Sequence, residues 1–230
     1  MMDWSWLPKY LPQFGYGLII TFGLVVTTMI FGILLAIPIG LVQVTGPRWL
    51  SKIARGYCTV MRGTPLLVQL YILYYGLGTF FAGYPELRQT FMWPVLREGI
   101  YYVLLAFILN EAGYAGEILR GAFLSVSKGE LEAARAFGMS PWKVLNRIWL
   151  PRALRNALPA LGGETILTLK ATPLVTLVAV VDFYGVADRV RQETYIIYPP
   201  LLFVMGAYLI MTFMIARGVA KLESLVPNRR

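Results

Sequence analysis

The 230-residue chain is 57% hydrophobic, 14% aromatic and 14% charged, with a mean hydropathy of +0.62, whereas a water-soluble domain carries about 25% charged residues to wet its surface. That balance excludes an aqueous globule and makes lipid the solvent. The 21 Lys and Arg against 12 Asp and Glu read as positive loops on one membrane face, so no nucleic-acid partner is expected. With no His and the single Cys58, a His/Cys metal cluster, Ser-His-Asp catalysis and an internal disulfide are all excluded.

Residues 10–47 carry no charge, and 18–42 within them are 25 residues, enough at 1.5 Å per residue to cross a hydrocarbon core of about 30 Å. This predicts the first span. Residues 63–85 and 194–216 are each charge-free for 23 residues and predict two more. Residues 99–119 hold Asn110, Glu111 and Glu117, and 157–181 hold Glu164 and Lys170. Both are long enough to span but carry ionisable groups at membrane depth. The expected fold is an all-α integral membrane protein of about five transmembrane helices, forming one domain over residues 1–230.

Charge sets the expected orientation. Residues 43–62 contain Arg48, Lys52, Arg55 and Arg62 with no acid, and 120–156 contain seven basic residues against Glu130 and Glu132. The tail from Arg217 adds four basic residues against Glu223. These stretches belong inside. Between spans two and three Glu86 and Glu98 balance Arg88 and Arg97, and after span four Asp182, Asp188 and Glu193 outnumber Arg189 and Arg191. Those belong outside, which places the N-terminus out and the C-terminus in.

The 37 residues from 120 to 156 are far longer than the usual connection of about 4–6 residues. Ser127 and Glu130 have capping-box spacing, and Gly138 stands where a helix ends on positive φ, predicting a helix over 128–137. Ser140 as N-cap and Pro141 at N1 predict a second helix through Trp142, Leu145 and Trp149 that Pro151 ends. Ala133, Ala134 and Ala136 leave the first helix thin, with Leu131 and Phe137 as apolar knobs able to enter a partner's groove. At the start of span two, Thr64 reads as N-cap and Pro65 as N1.

The sequence Glu132-Ala133-Ala134, three residues, Gly138, nine residues, then Ile148-x-Leu150-Pro151 resembles the EAA loop of permease subunits of ATP-binding-cassette importers. Arg62-Gly-Thr-Pro-Leu-Leu-Val-Gln69 and Ala112-Gly-Tyr-Ala-Gly-Glu-Ile-Leu-Arg-Gly121 are similar to the polar amino acid branch, the histidine, arginine, glutamine and opine permeases. The resemblance covers about residues 15–225. It implies a type I importer permease fold in a bacterial inner membrane. It also implies three kinds of partner: a second permease subunit, paralogous or identical, ATPase subunits, and an external solute-binding protein. Glu132, Ala133, Ala134, Gly138, Ile148, Leu150 and Pro151 would then form the loop that couples to the ATPase. No G-x-x-x-x-G-K-[ST] loop occurs in the chain, so ATP and Mg would be bound by the partner and this subunit would be no enzyme and hold no cofactor.

On span three Asn110, Tyr114 and Glu117 follow i, i+4, i+7 and share a face, with Glu111 about 100° away; on span four Glu164 and Thr168 share a face and Lys170 points elsewhere. A charge at the centre of a span costs about 2.5–3.5 kcal/mol, so these groups should face the bundle interior or a water-filled path. As path residues the carboxylates would meet a substrate ammonium, and Lys170 or Arg62 its carboxylate. As structural residues Glu117 would pair with Arg120, and Glu164 or Lys170 would hold helices together. Three carboxylates on spans three and four and Lys170-Ala171-Thr172, which looks like the basic amino acid and opine permeases, favour a cationic substrate over glutamine or another polar amino acid. A solitary channel or secondary transporter would need its own coupling-ion site and often shows repeated halves; neither is found.

Overall fold

The structure, a computed structural model, describes residues 3–225. Its first element, α1, runs over Leu7–Thr45. At about 58 Å it is nearly twice the hydrocarbon thickness, and it begins eleven residues before the predicted span 18–42 and ends three after it. Helix α6, Gly99–Ser125, lies parallel to it: Gly32 faces Glu111 and Gly40 faces Leu119. Gly32, Ala36 and Gly40 on α1, with Ala112, Ala115 and Gly116 on α6, are all buried. Where lipid removes the hydrophobic driving force between helices, small residues let backbones approach and gain dispersion contact.

The stretch 43–62, expected as a loop, is a helix, α2 (Arg48–Gly63). It opens with Pro47 as N-cap and ends where Thr64 and Pro65 interrupt the chain. Span two then runs on without a break as α3 (Leu66–Tyr71), a π-helical turn over Ile72–Leu77 and α4 (Gly78–Ala82), so the span read over 63–85 is a helix over 66–82. The bend between α2 and the α3–α4 leg is 102°. A 3₁₀ turn (Pro85–Gln89) and α5 (Trp93–Leu96) lead into α6.

After α6 come α7 (Lys128–Ala136) and α8 (Pro141–Val144). Pro151 does not end the second helix. A π-helical turn over Leu145–Trp149 joins α8 directly to α9 (Leu150–Ala171), with Leu150 N–H donating to Leu145 carbonyl, and this wider turn accommodates Pro151 inside a continuous helix. Past Ala171 a 3₁₀ stretch, Thr172–Val178, ends on left-handed Ala179. The segment expected as an external loop is mostly helix α10, Phe183–Thr194. The last helix, α11, is Tyr198–Ser224 rather than 194–216. By length and composition α1, α6 and α11 can each cross a membrane, and the two bent pairs raise the number to five. Arg229 and Arg230, which the charge asymmetry includes, lie outside the described residues.

One apolar cluster joins the C-terminal ends of α1 and α6 to α7, α8 and the start of α9 through Phe123, Leu131, Ala134, Val144 and Ala153. At the opposite end Trp6, Tyr10 and Phe14 of α1 pack with Phe183 of α10 and Phe203 of α11. The two ends of the bundle are thus separately clamped, and the broken helices cross the space between them.

Candidate functional site

The breaks in the chain create polar demand inside an apolar bundle. Met61 carbonyl would accept from the N–H of residue 65 in a continuous helix, but residue 65 is proline and has none. Asn110 Nδ2 donates to that carbonyl at 3.0 Å and Gln69 Nε2 at 2.9 Å, and Asn110 also donates to Gln69 Oε1. Tyr114 Oη reaches the carbonyl of Arg62, and the Arg62 guanidinium lies 5.6 Å from the Tyr114 ring centroid. Thr64 is not an N-cap here; its hydroxyl folds back onto Val60 carbonyl at the end of α2, and Pro65 caps α3. Asn110 and Tyr114, a predicted pair on one face, are therefore joined to the α2–α3 break.

Glu164 is half-buried on α9, with the Arg62 charge acting on it. Glu111 is 3% exposed and turned against Gly32 of α1, which places it inside the subunit rather than on the open face. Thr168, equally enclosed, donates to Glu111 Oε2 at 3.2 Å. Glu117 pairs with Arg120 at 2.9 Å, the structural alternative for that residue. Lys170 is exposed on the last turn of α9 and makes none of the contacts that link Asn110, Tyr114 and Arg62. The structure thus gathers Arg62, Gln69, Asn110 and Tyr114, leaves Glu164 on α9 within reach of the Arg62 charge but in no ion pair with it, and sets Glu111 and Thr168 behind them.

A second polar junction was not predicted. Asp182, expected among external loop charges, is fully buried and caps α10 by accepting from Gly185 N–H at 2.8 Å. Its carboxylate also accepts from Thr176 and Tyr208, with Thr21 at 3.5 Å. Thr172 Oγ1 shares a hydrogen bond with Tyr208 Oη and donates to Leu169 carbonyl, which Pro173 leaves without its helical partner. One carboxylate thus ties α1, the 3₁₀ stretch, α10 and α11. Asp182 followed by an apolar helical run is an N-cap signal, but charge counting masks it.

At the other end the elbow ends α7 as expected, with Gly138 at φ +75°. Met139 N–H donates to Ala134 carbonyl and Gly138 N–H to Arg135 carbonyl, the paired bonds of a Schellman motif. Ser127 makes no side-chain cap, and Glu130 instead pairs with Arg152 at 3.2 Å. Leu131 is no knob; with Ala134 it is buried against α6. Glu132 and Ala133 are exposed, and Ile148, Leu150 and Pro151 are partly covered. Trp149 Nε1 donates to Phe123 carbonyl, holding the elbow on α6. Phe137 and Trp142 project at 89% and 70% exposure, two apolar side chains at the elbow with no cover among the described residues.

The family described as "Binding-protein-dependent transport system inner membrane component" matches residues 28–223. The octopine transport system permease protein OccM of Rhizobium radiobacter is 39% identical over 215 residues, covering 93% of this chain and 86% of that one. The nopaline permease NocM of Agrobacterium fabrum is 35% identical, covering 96% and 91%. The histidine/lysine/arginine/ornithine permease HisM of Escherichia coli K12 is 34% identical, covering 86% and 82%. Among solved structures, an amino acid ABC transporter crystallised with histidines superposes with TM-score 0.81 at 30% identity, covering 98% of this chain and all of that one. The MetNI methionine transporter, at 16% identity and TM-score 0.74, shares the fold.

Proposed function

The chain belongs to the family of binding-protein-dependent transport system inner membrane components, and from that premise we propose that it carries amino acids with a cationic side chain, or opine derivatives of them. The observation behind this reading is the set of relatives aligned over most of both chains, whose names print octopine, nopaline and histidine/lysine/arginine/ornithine transport. The subunit works with a second permease subunit, identical or paralogous, and with an external solute-binding protein. ATP and Mg are bound by separate ATPase subunits, which seat Phe137 and Trp142 of the elbow.

Arg62, Asn110, Tyr114 and Glu164 form the polar layer of the path, where Glu164 meets the substrate cation and Arg62 its carboxylate; Glu111 and Thr168 support the layer from behind. In reconstituted complex, Glu164→Gln keeps shape and hydrogen-bonding capacity but removes the charge. Arginine uptake should fall about tenfold, the equivalent of about 1.4 kcal/mol, with unchanged yield of complex. Normal uptake in this variant overturns the assignment. Wild-type complex that takes up glutamine but no arginine, ornithine or octopine overturns the substrate class.

The orientation carries its own test. In a Cys58→Ser background, an impermeant maleimide added to intact cells should label Glu86→Cys and leave Lys143→Cys unlabelled until the membrane is opened. Labelling of position 143 from outside rejects the orientation.

A further inference from the structure

At the end of α6 remote from the elbow, the π-helical turn and α4 border with α5 an open cavity of about 550 Å³ that the polar layer does not line. That volume lies within the range of small-ligand pockets, about 300–1,000 Å³. Its walls carry Tyr74, Tyr75, Tyr102, Trp93 and Arg97, with the hydroxyl-bearing Thr79 among them. The π-turn explains why two neighbouring tyrosines line one cavity: its wider turn lowers the angle between successive side chains and is a recurrent device at functional sites. Tyr74 and Tyr75 meet edge to face at 4.9 Å, and Tyr74 meets Tyr102 edge to face at 6.1 Å, so the rings present different faces to the space between them. Trp93 already receives one guanidinium, that of Arg88, 5.7 Å from its centroid. Arg97 uses Nε on Glu98, which leaves its terminal nitrogens as donors.

We infer that this cavity is a second amino-acid site, taking the cationic side chain against the tyrosine faces and the α-carboxylate on Arg97. Ring faces attract a guanidinium or ammonium through their quadrupole, and arginine forks match a carboxylate. A ligand must therefore carry both charges, separated along a chain, to use the whole site; a bare cation leaves the terminal nitrogens of Arg97 without an acceptor from the ligand. In the proposed orientation the cavity opens on the external side, ahead of the Arg62–Glu164 layer. The inference rests on the cationic amino acid reading given above.

The test is equilibrium binding of radiolabelled arginine to the reconstituted importer complex, without solute-binding protein or nucleotide, in a Glu164→Gln background that weakens the inner layer. Tyr75→Ala and Arg97→Gln should each weaken binding about tenfold, whereas Tyr75→Phe, which keeps the ring face, should bind as the parent does. Agmatine, which lacks the carboxylate, should compete about tenfold less well than arginine. That preference should vanish in Arg97→Gln. Unchanged arginine binding in Tyr75→Ala and Arg97→Gln, or equal competition by agmatine and arginine in the parent, overturns the site. If those outcomes occur while wild-type complex still takes up arginine, only the second site falls; if no cationic amino acid or opine is taken up, the substrate reading falls with it.

Discussion

Gly138→Val should lower both substrate-stimulated ATP hydrolysis and uptake at least about tenfold while the chain still inserts, because the lesion is one of backbone direction. At φ +75° a residue bearing a Cβ costs about 1–2 kcal/mol in the left-handed region, and a β-branched one more. The position is sterically open, with nothing within 4 Å of the point that a Cβ would occupy, so the effect arises from φ alone. Relief comes by letting α7 run on, which breaks the bonds from Met139 and Gly138 to Ala134 and Arg135 and swings Phe137 and Trp142 out of register with each other. Gly138→Asn, a residue that tolerates the left-handed region, should restore most of the activity. Wild-type stimulation and uptake in Gly138→Val sink the idea.

Asp182→Ala should destabilise the subunit by about 3 kcal/mol or more, because it removes the shared acceptor of several buried donors at once. The substitution strips acceptors from Thr176, Tyr208 and Gly185 N–H together, and each buried donor left unpaired costs about 1–3 kcal/mol. Asp182→Asn preserves one acceptor and should fall between. The measurement is the temperature at which detergent-solubilised complex loses its monodisperse chromatographic peak, read beside uptake. A variant as heat-resistant as the parent refutes the junction's structural role.

Helix type and the positions of the long apolar segments are legible in the sequence, because lipid leaves few options for a charge-free run and Gly138 needs its conformation whatever surrounds it. The helix start at Pro65 is legible too, whereas the interruption at Pro173, inside the predicted span 157–181, is not. A run of apolar residues has the same hydropathy whether continuous or broken, and what decides is whether a side-chain donor, far off in sequence as Asn110 is from Met61 or local as Thr172 is to Leu169, stands ready for the carbonyl that proline deprives of its α-helical partner. Pro151 errs in the opposite direction: proline reads as a stop, yet the preceding π-turn lets the helix continue. Glu111 and Asp182 show why membrane-depth charges resist assignment from spacing. One sits against Gly32, the other beneath Thr21 and Tyr208, and both positions depend on α1, which is far away in sequence.

The continuity of α8 with α9 turns the elbow and the last turn of α9 into two ends of one lever. Gly162 of α9 lies so close to α11 that an added Cβ would stand 2.5 Å from Val219, and this tight crossing is the natural fulcrum. From Trp142 to Gly162 the rod is about 30 Å, and from Gly162 to Lys170 about 12 Å. A thrust of about 5 Å at the elbow therefore arrives beyond the crossing as a shift of about 2 Å in the opposite direction. The mechanical advantage favours force over travel, which suits a gate that must part packed side chains by about half the width of a methyl group.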